Sequence, residues 1–106
     1  MFQNITAEKL HELHLNGDVT LVDVRSEAEV ARGIIAGALH VPLHALPTRV
    51  AQLDNTRPLV LYCHAGGRSA QGCLFLAGKG FREVYNLQGG ILAWLSYGFP
   101  LDSRPG

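Results

Sequence analysis

The feature that most constrains this chain is the regular return of short apolar segments between stretches of helical period. Val19–Val24, Leu39–Val41, Leu59–Tyr62 and Val84–Leu87 each read as a strand bounded by turn residues. Strands that are apolar nearly throughout are buried on both faces, and helical segments between them supply the covering layers. The pattern therefore predicts an α/β fold built on a parallel sheet with helices on both faces. At 106 residues the chain is one domain's length. Residues 1–106 are read as a single domain, with about 101–106 as a frayed tail.

The helical segments carry their own punctuation. Thr6 is an N-cap, and Ile5 and Leu10 flank it as a hydrophobic staple. Leu10 and Leu13 give that helix its buried stripe, and Gly17 ends it. Ser26 and Glu29 form an S-x-x-E capping box for a short helix ending near Gly33. Leu43, Leu46, Val50 and Leu53 recur at helical spacing, with Pro47 tolerated in a first turn. A helix is predicted from about Ser69 to Lys79, with Ala70, Cys73, Leu74 and Ala77 on one face. The last helix opens at Gly89-Gly90 and carries Ile91, Trp94 and Leu95.

Charge and composition exclude several function classes. Nine basic residues balance nine acidic ones, which argues against nucleic-acid or membrane-surface binding. No apolar run approaches the roughly 20 residues of a membrane span. Met1-Phe2-Gln3-Asn4 lacks the basic and apolar regions of a secretory signal, so the expectation is a cytoplasmic protein with reduced thiols. Neither G-x-G-x-x-G nor a P-loop lysine is present, so nucleotide binding is not expected. Cys63 and Cys73 have no zinc or C-x-x-C spacing, and Pro42 separates His40 from His44. No metal or cofactor is expected.

Parallel sheets bind ligands at the carboxyl ends of their strands. The segment leaving one such end is Cys63-His64-Ala65-Gly66-Gly67-Arg68-Ser69. The two glycines let the backbone curl, so that successive N–H groups point inward as an anion nest. The following helix adds its positive end, and Arg68 adds a permanent charge with a planar fork of donors. Each of these favours a thiolate at Cys63 and an anion beside it. A cysteine at a strand end also serves commonly as a small core hydrophobe. The surrounding donor set is what favours a nucleophile. His64 either tunes the substrate's charge or points to solvent. Cys73, on an apolar stripe, reads as a packed core thiol rather than a resolving one. Asp23 and Arg25 read as scaffolding at a neighbouring strand end.

Three stretches, in this order and spacing, resemble the rhodanese-like family across nearly the whole chain. They are Leu21-Val22-Asp23-Val24-Arg25 with Glu29, Gly33 and Gly37–Pro42; Cys63–Ser69; and Leu87–Trp94 with Gly98 and Pro100. The chain departs from the family's Gly-His-Ile-Pro-Gly-Ala at Gly33–Ala38, where Ile34 and Ala36 replace the histidine and the proline. The resemblance implies a three-layer fold with a five-stranded parallel sheet. It also implies a thiosulfate sulfurtransferase in which Cys63 takes sulfane sulfur as a persulfide, and the amides of His64 to Ser69 with the Arg68 side chain cradle the outer sulfur. The donor would be thiosulfate or a similar anion. The acceptor would be cyanide or a thiol, small or carried on a protein. Two alternatives stand beside it. Cysteine phosphatases and arsenate reductases use a C-x5-R loop, whereas four residues separate Cys63 from Arg68 here. A non-enzymatic sulfur-carrier or partner-binding module of the same fold is the other.

Overall fold

The structure, a computed structural model, describes residues 1–103. Five strands form one sheet: β1 (Gln3–Ile5), β2 (Thr20–Asp23), β3 (Leu39–His40), β4 (Leu59–Tyr62) and β5 (Val84–Leu87). All pair in parallel, in the order β1-β5-β4-β2-β3. The helices are α1 (Ala7–Leu15), α2 (Glu27–Val30), α3 (Leu46–Arg49), α4 (Gly67–Gly78) and α5 (Gly90–Ser96).

The period-2 rule divides the core along β4. Leu59, Leu61 and then Cys63 face one layer, where they pack with Leu46, Cys73 and Leu76 from the α3 and α4 side. Val60 and Tyr62 face the other, with Leu10 of α1 and Ile91 and Trp94 of α5. Both faces of the sheet are thus covered, which is why its strands carry so few polar residues. No helix among the described residues is long and apolar enough to cross a membrane.

The local signals act as read. Thr6 accepts a hydrogen bond from Lys9 N and caps α1. Ser26 and Glu29 form the reciprocal capping box of α2.

Four expectations are corrected. The fifth strand is β1, which no apolar run in the sequence announces. Leu43–Leu53 is not one helix: the four-residue α3 lies between 3-10 turns at Leu43–Ala45 and Val50–Gln52. The buried face of α4 is Ser69, Gly72, Cys73 and Leu76, while Leu74 is 54% exposed. The tail does not begin at Leu101: Asp102 exchanges backbone hydrogen bonds with Ile34 in an antiparallel bridge. Residues 104–106 of that expected tail lie outside the described residues.

Candidate active site

Cys63 directly follows β4, and the loop it opens ends in α4. Its Sγ is buried and lies 3.1 Å from the N–H of Gly66 and 3.3 Å from the Ser69 hydroxyl. Burial by itself would raise the thiol's pKa. The Ser69 hydroxyl and the backbone N–H groups of Ser69, Gly66 and Arg68 outweigh it and hold Cys63 below its ordinary value. The loop reaches this shape through Gly66, whose φ of 121° is open to glycine. Gly67 has no positive φ and is already the first residue of α4.

The amino end of α5 holds the loop from above. Ile91 N donates to the Cys63 carbonyl at 2.9 Å, and Leu92 N to that of His64 at 3.2 Å. His64 and Ala65 are exposed, and His64 borders a cleft of about 440 Å³. Arg32, Arg68 and Glu29 line the polar side of that cleft, and Leu92, Leu95 and Leu101 the apolar side.

Arg68 is not a free cation. Its Nη1 and Nη2 donate to the two carboxylate oxygens of Glu29 at 2.7 and 2.8 Å. Glu29 therefore does more than cap α2: it pins the guanidinium over the loop. Two of the five guanidinium donors are so engaged, and three remain for an anion. Arg68, with smaller help from Ser26, holds the Glu29 carboxyl at about 2, down from its ordinary 4.5. A lowered folded-state pKa stabilises the fold above pH 4.5, and that contribution is lost as pH falls toward 2. The Arg68 side chain is 40% exposed, so solvent screening keeps the contribution on the order of 1 kcal/mol. Accordingly, denaturant titrations of the protein and of Glu29→Gln should differ most above pH 4.5 and converge below it. A stability gap that persists at pH 2 would contradict this.

The remaining residues singled out by the sequence lie around this centre. Both oxygens of the buried Asp23 carboxylate are taken by Arg25, whose Nη2 also donates to the Gly33 carbonyl at 2.7 Å. The pair braces the loop after β2. His40 Nε2 donates to the Arg25 carbonyl at 2.7 Å, and His44 is exposed. Among the described residues, no cluster of three His, Cys, Asp or Glu could hold a metal ion.

Cys73 is fully buried and donates to the Tyr85 carbonyl at 3.4 Å. Burial, and secondarily the charge of Cys63, push it up to about 12. At neutral pH it is a thiol and a poor nucleophile. Cys73→Ala is expected to keep Cys63 chemistry intact and to cost on the order of 1 kcal/mol of stability. A Cys63–Cys73 disulfide trapped during turnover would overturn that expectation.

Sequence reasoning missed Asn86. It is the one polar residue of β5, 6% exposed, and its Oδ1 lies 2.5 Å from the Ser69 hydroxyl. A polar side chain inside an otherwise apolar strand needs a buried partner, and that was the available signal.

The model of the rhodanese-like domain matches residues 6–97. The chain belongs to the rhodanese-like domain family. Among its relatives is a protein of Allochromatium vinosum named sulfurtransferase, 41% identical over 107 residues and covering all of both chains. A thiosulfate sulfurtransferase, GlpE, of Ectopseudomonas mendocina is 36% identical over 105 residues, which is 99% of this chain and 94% of that one. The crystal structure of a rhodanese-related protein from Thermoplasma volcanium superposes with a TM-score of 0.90 at 28% identity, covering 97% of this chain and 100% of that one. The matched residues run from α1 through α5 and include the Cys63 loop.

Proposed function

We propose that this protein is a sulfurtransferase that moves sulfane sulfur from thiosulfate, or a similar anionic donor, to a thiol or cyanide through a persulfide on Cys63. The observation that carries the reading is the convergence of the Gly66 N–H and the Ser69 hydroxyl on Cys63 Sγ. The names of the Allochromatium and Ectopseudomonas relatives support it.

The chemistry balances without a redox partner. The Cys63 thiolate attacks the outer sulfur of thiosulfate, and the S–S bond breaks. Sulfite leaves with the electron pair, and Cys63 holds a persulfide. A thiolate or cyanide then attacks the outer sulfur, and Cys63 departs as the thiolate. The loop's amides stabilise negative sulfur at both stages, which lowers both barriers. Arg68 lines the cleft beside the loop, and the N–H groups that Glu29 leaves free attract the donor. Arg68→Ala is expected to weaken donor use by about 10- to 150-fold, the loss of a charge-assisted hydrogen bond of about 1.5–3 kcal/mol. Lysine restores part of it, since a point charge replaces a fork. Unchanged kcat/KM for thiosulfate in Arg68→Ala would remove Arg68 from this role.

The short loop disfavours phosphoryl chemistry. Four residues between Cys63 and Arg68 form a ring suited to one sulfur atom, whereas a phosphate also brings equatorial oxygens. The test is intact mass before and after thiosulfate, followed by peptide mapping. One added sulfur on Cys63, removed by cyanide, is the expected result, with negligible hydrolysis of aryl phosphates. No adduct, an adduct on Cys73, or Cys63-dependent phosphatase turnover exceeding sulfur transfer would overturn the proposal.

A further inference from the structure

Behind Cys63, three acceptors compete for the one proton of a buried hydroxyl. The Ser69 hydroxyl, fully buried, lies within reach of Cys63 Sγ at 3.3 Å, the Gly66 carbonyl at 3.2 Å and Asn86 Oδ1 at 2.5 Å. A hydroxyl has one proton to give. The amide of Asn86 has its orientation set by its partners: Nδ2 faces the Gly66 carbonyl at 3.3 Å and Asn4 Oδ1 at 3.5 Å. Its oxygen therefore faces Ser69, and an amide oxygen only accepts. Asn4 is the register partner of Asn86 across β1 and β5, so the edge strand helps hold the amide in place.

We propose that Asn86 is a positioning residue that sets the nucleophilicity of Cys63 by competing with its sulfur for the hydroxyl proton of Ser69. This rests on Cys63 being the nucleophile of the proposed function, and it extends that reading to a residue on another strand. With a neutral thiol, Ser69 donates to Asn86 Oδ1 and offers a lone pair to the Cys63 S–H. With a thiolate, that lone pair opposes negative sulfur. The hydroxyl then turns to donate to sulfur, and Asn86 Oδ1 loses its donor. An unsatisfied buried acceptor is costly, so Asn86 opposes ionisation of Cys63 by way of Ser69. The same rotation serves each time Cys63 leaves as a thiolate after giving up its sulfur.

The charged and titratable groups around Cys63 are Arg68 with its partner Glu29, the Asp23–Arg25 pair at the end of β2, His64 and Cys73. None is altered in the variants below. The experiment measures the rate of Cys63 alkylation by iodoacetamide against pH, which needs no sulfur donor. Failure of sulfur transfer and failure of this inference are therefore separate results. Asn86→Leu should lower the pH midpoint and speed alkylation at neutral pH by about fivefold, the factor carried by one hydrogen bond of typical net strength. Ser69→Ala should raise the midpoint and slow alkylation by a similar factor. In the Ser69→Ala background, Asn86→Leu should then change nothing, because the hydroxyl through which it acts is gone. Asn86→Val carries the same test if the leucine variant does not fold. An unchanged profile in the folded Asn86 variant, or the same shift with and without the Ser69 hydroxyl, would overturn the inference.

Discussion

Cys63→Ser is expected to give a folded protein whose sulfur transfer from thiosulfate falls by roughly a thousandfold or more, as when the nucleophile is taken from a site that works as a unit. Serine is smaller by a little and keeps the bonding pattern: its oxygen can accept from Gly66 N and Ser69 Oγ as the sulfur does. The position is nearly inaccessible, so little surface changes and the unfolding midpoint should stay close to that of the parent. What disappears is the reactive anion. The same donors that hold the thiol low cannot bring an alcohol into the neutral range, and hydroxyls without a base are weak nucleophiles. Turnover in the thiosulfate–cyanide assay, paired with a thermal melt, separates chemistry from folding. Activity near that of the parent in a well-folded Cys63→Ser protein would refute the persulfide mechanism.

Gly90→Ala should be nearly as damaging, although Gly90 touches no substrate. Gly90 has a φ of +61°, which costs an alanine about 1–2 kcal/mol. Strain is the lesser effect. A methyl carbon there would press on the His64 carbonyl oxygen, and would lie 2.6 Å from its carbon and 2.7 Å from Ala65 N. These are backbone atoms of the active-site loop and cannot turn aside as a side chain would. They must move, and the two hydrogen bonds from α5 to Cys63 and His64 must move with them. A shift of about 1 Å in a reacting group can cost about a hundredfold in rate. Gly98→Ala is the control: it has a similar φ of +78°, but its new carbon would meet open space. Gly90→Ala should lose sulfur transfer and slow Cys63 alkylation, whereas Gly98→Ala should lose only stability. Equal activities in the two variants would show that the α5 contact does not shape the loop.

The parts of this molecule legible in the sequence are those written in neighbouring residues. The capping box at Ser26 and Glu29, the staple around Thr6 and the loop from Cys63 to Ser69 each lie within a few positions. The apolar runs announce a sheet covered on both sides for the same reason. Strand β1 escapes because it is three residues long and buries only Ile5; its identity comes from pairing with β5. Apolarity alone points the stripe of α4 through Leu74, yet Gly72 occupies the face against the sheet, and helix geometry puts Leu74 on the other side. The Glu29–Arg68 clamp joins residues 39 apart and the Ser69–Asn86 contact residues 17 apart. Neither has a spacing rule, because the partners come from different elements. The candidate nucleophile and its loop are therefore legible in the sequence, and the partners packed around them from other elements are not.

The sheet order also bears on how the chain acquires its shape. Strand β1, the earliest of the five in the chain, pairs with β5, and Asn4 meets Asn86 across 82 positions. Closing so long a loop carries a large entropic cost until β4 and β5 are already in place, and distant pairings slow folding. On a ribosome β1 has no neighbour in the sheet until β5 has emerged. The polar cluster behind Cys63, which joins β1, β5 and α4, is accordingly among the last things completed, and a partly made chain carries the cysteine without its finished surroundings.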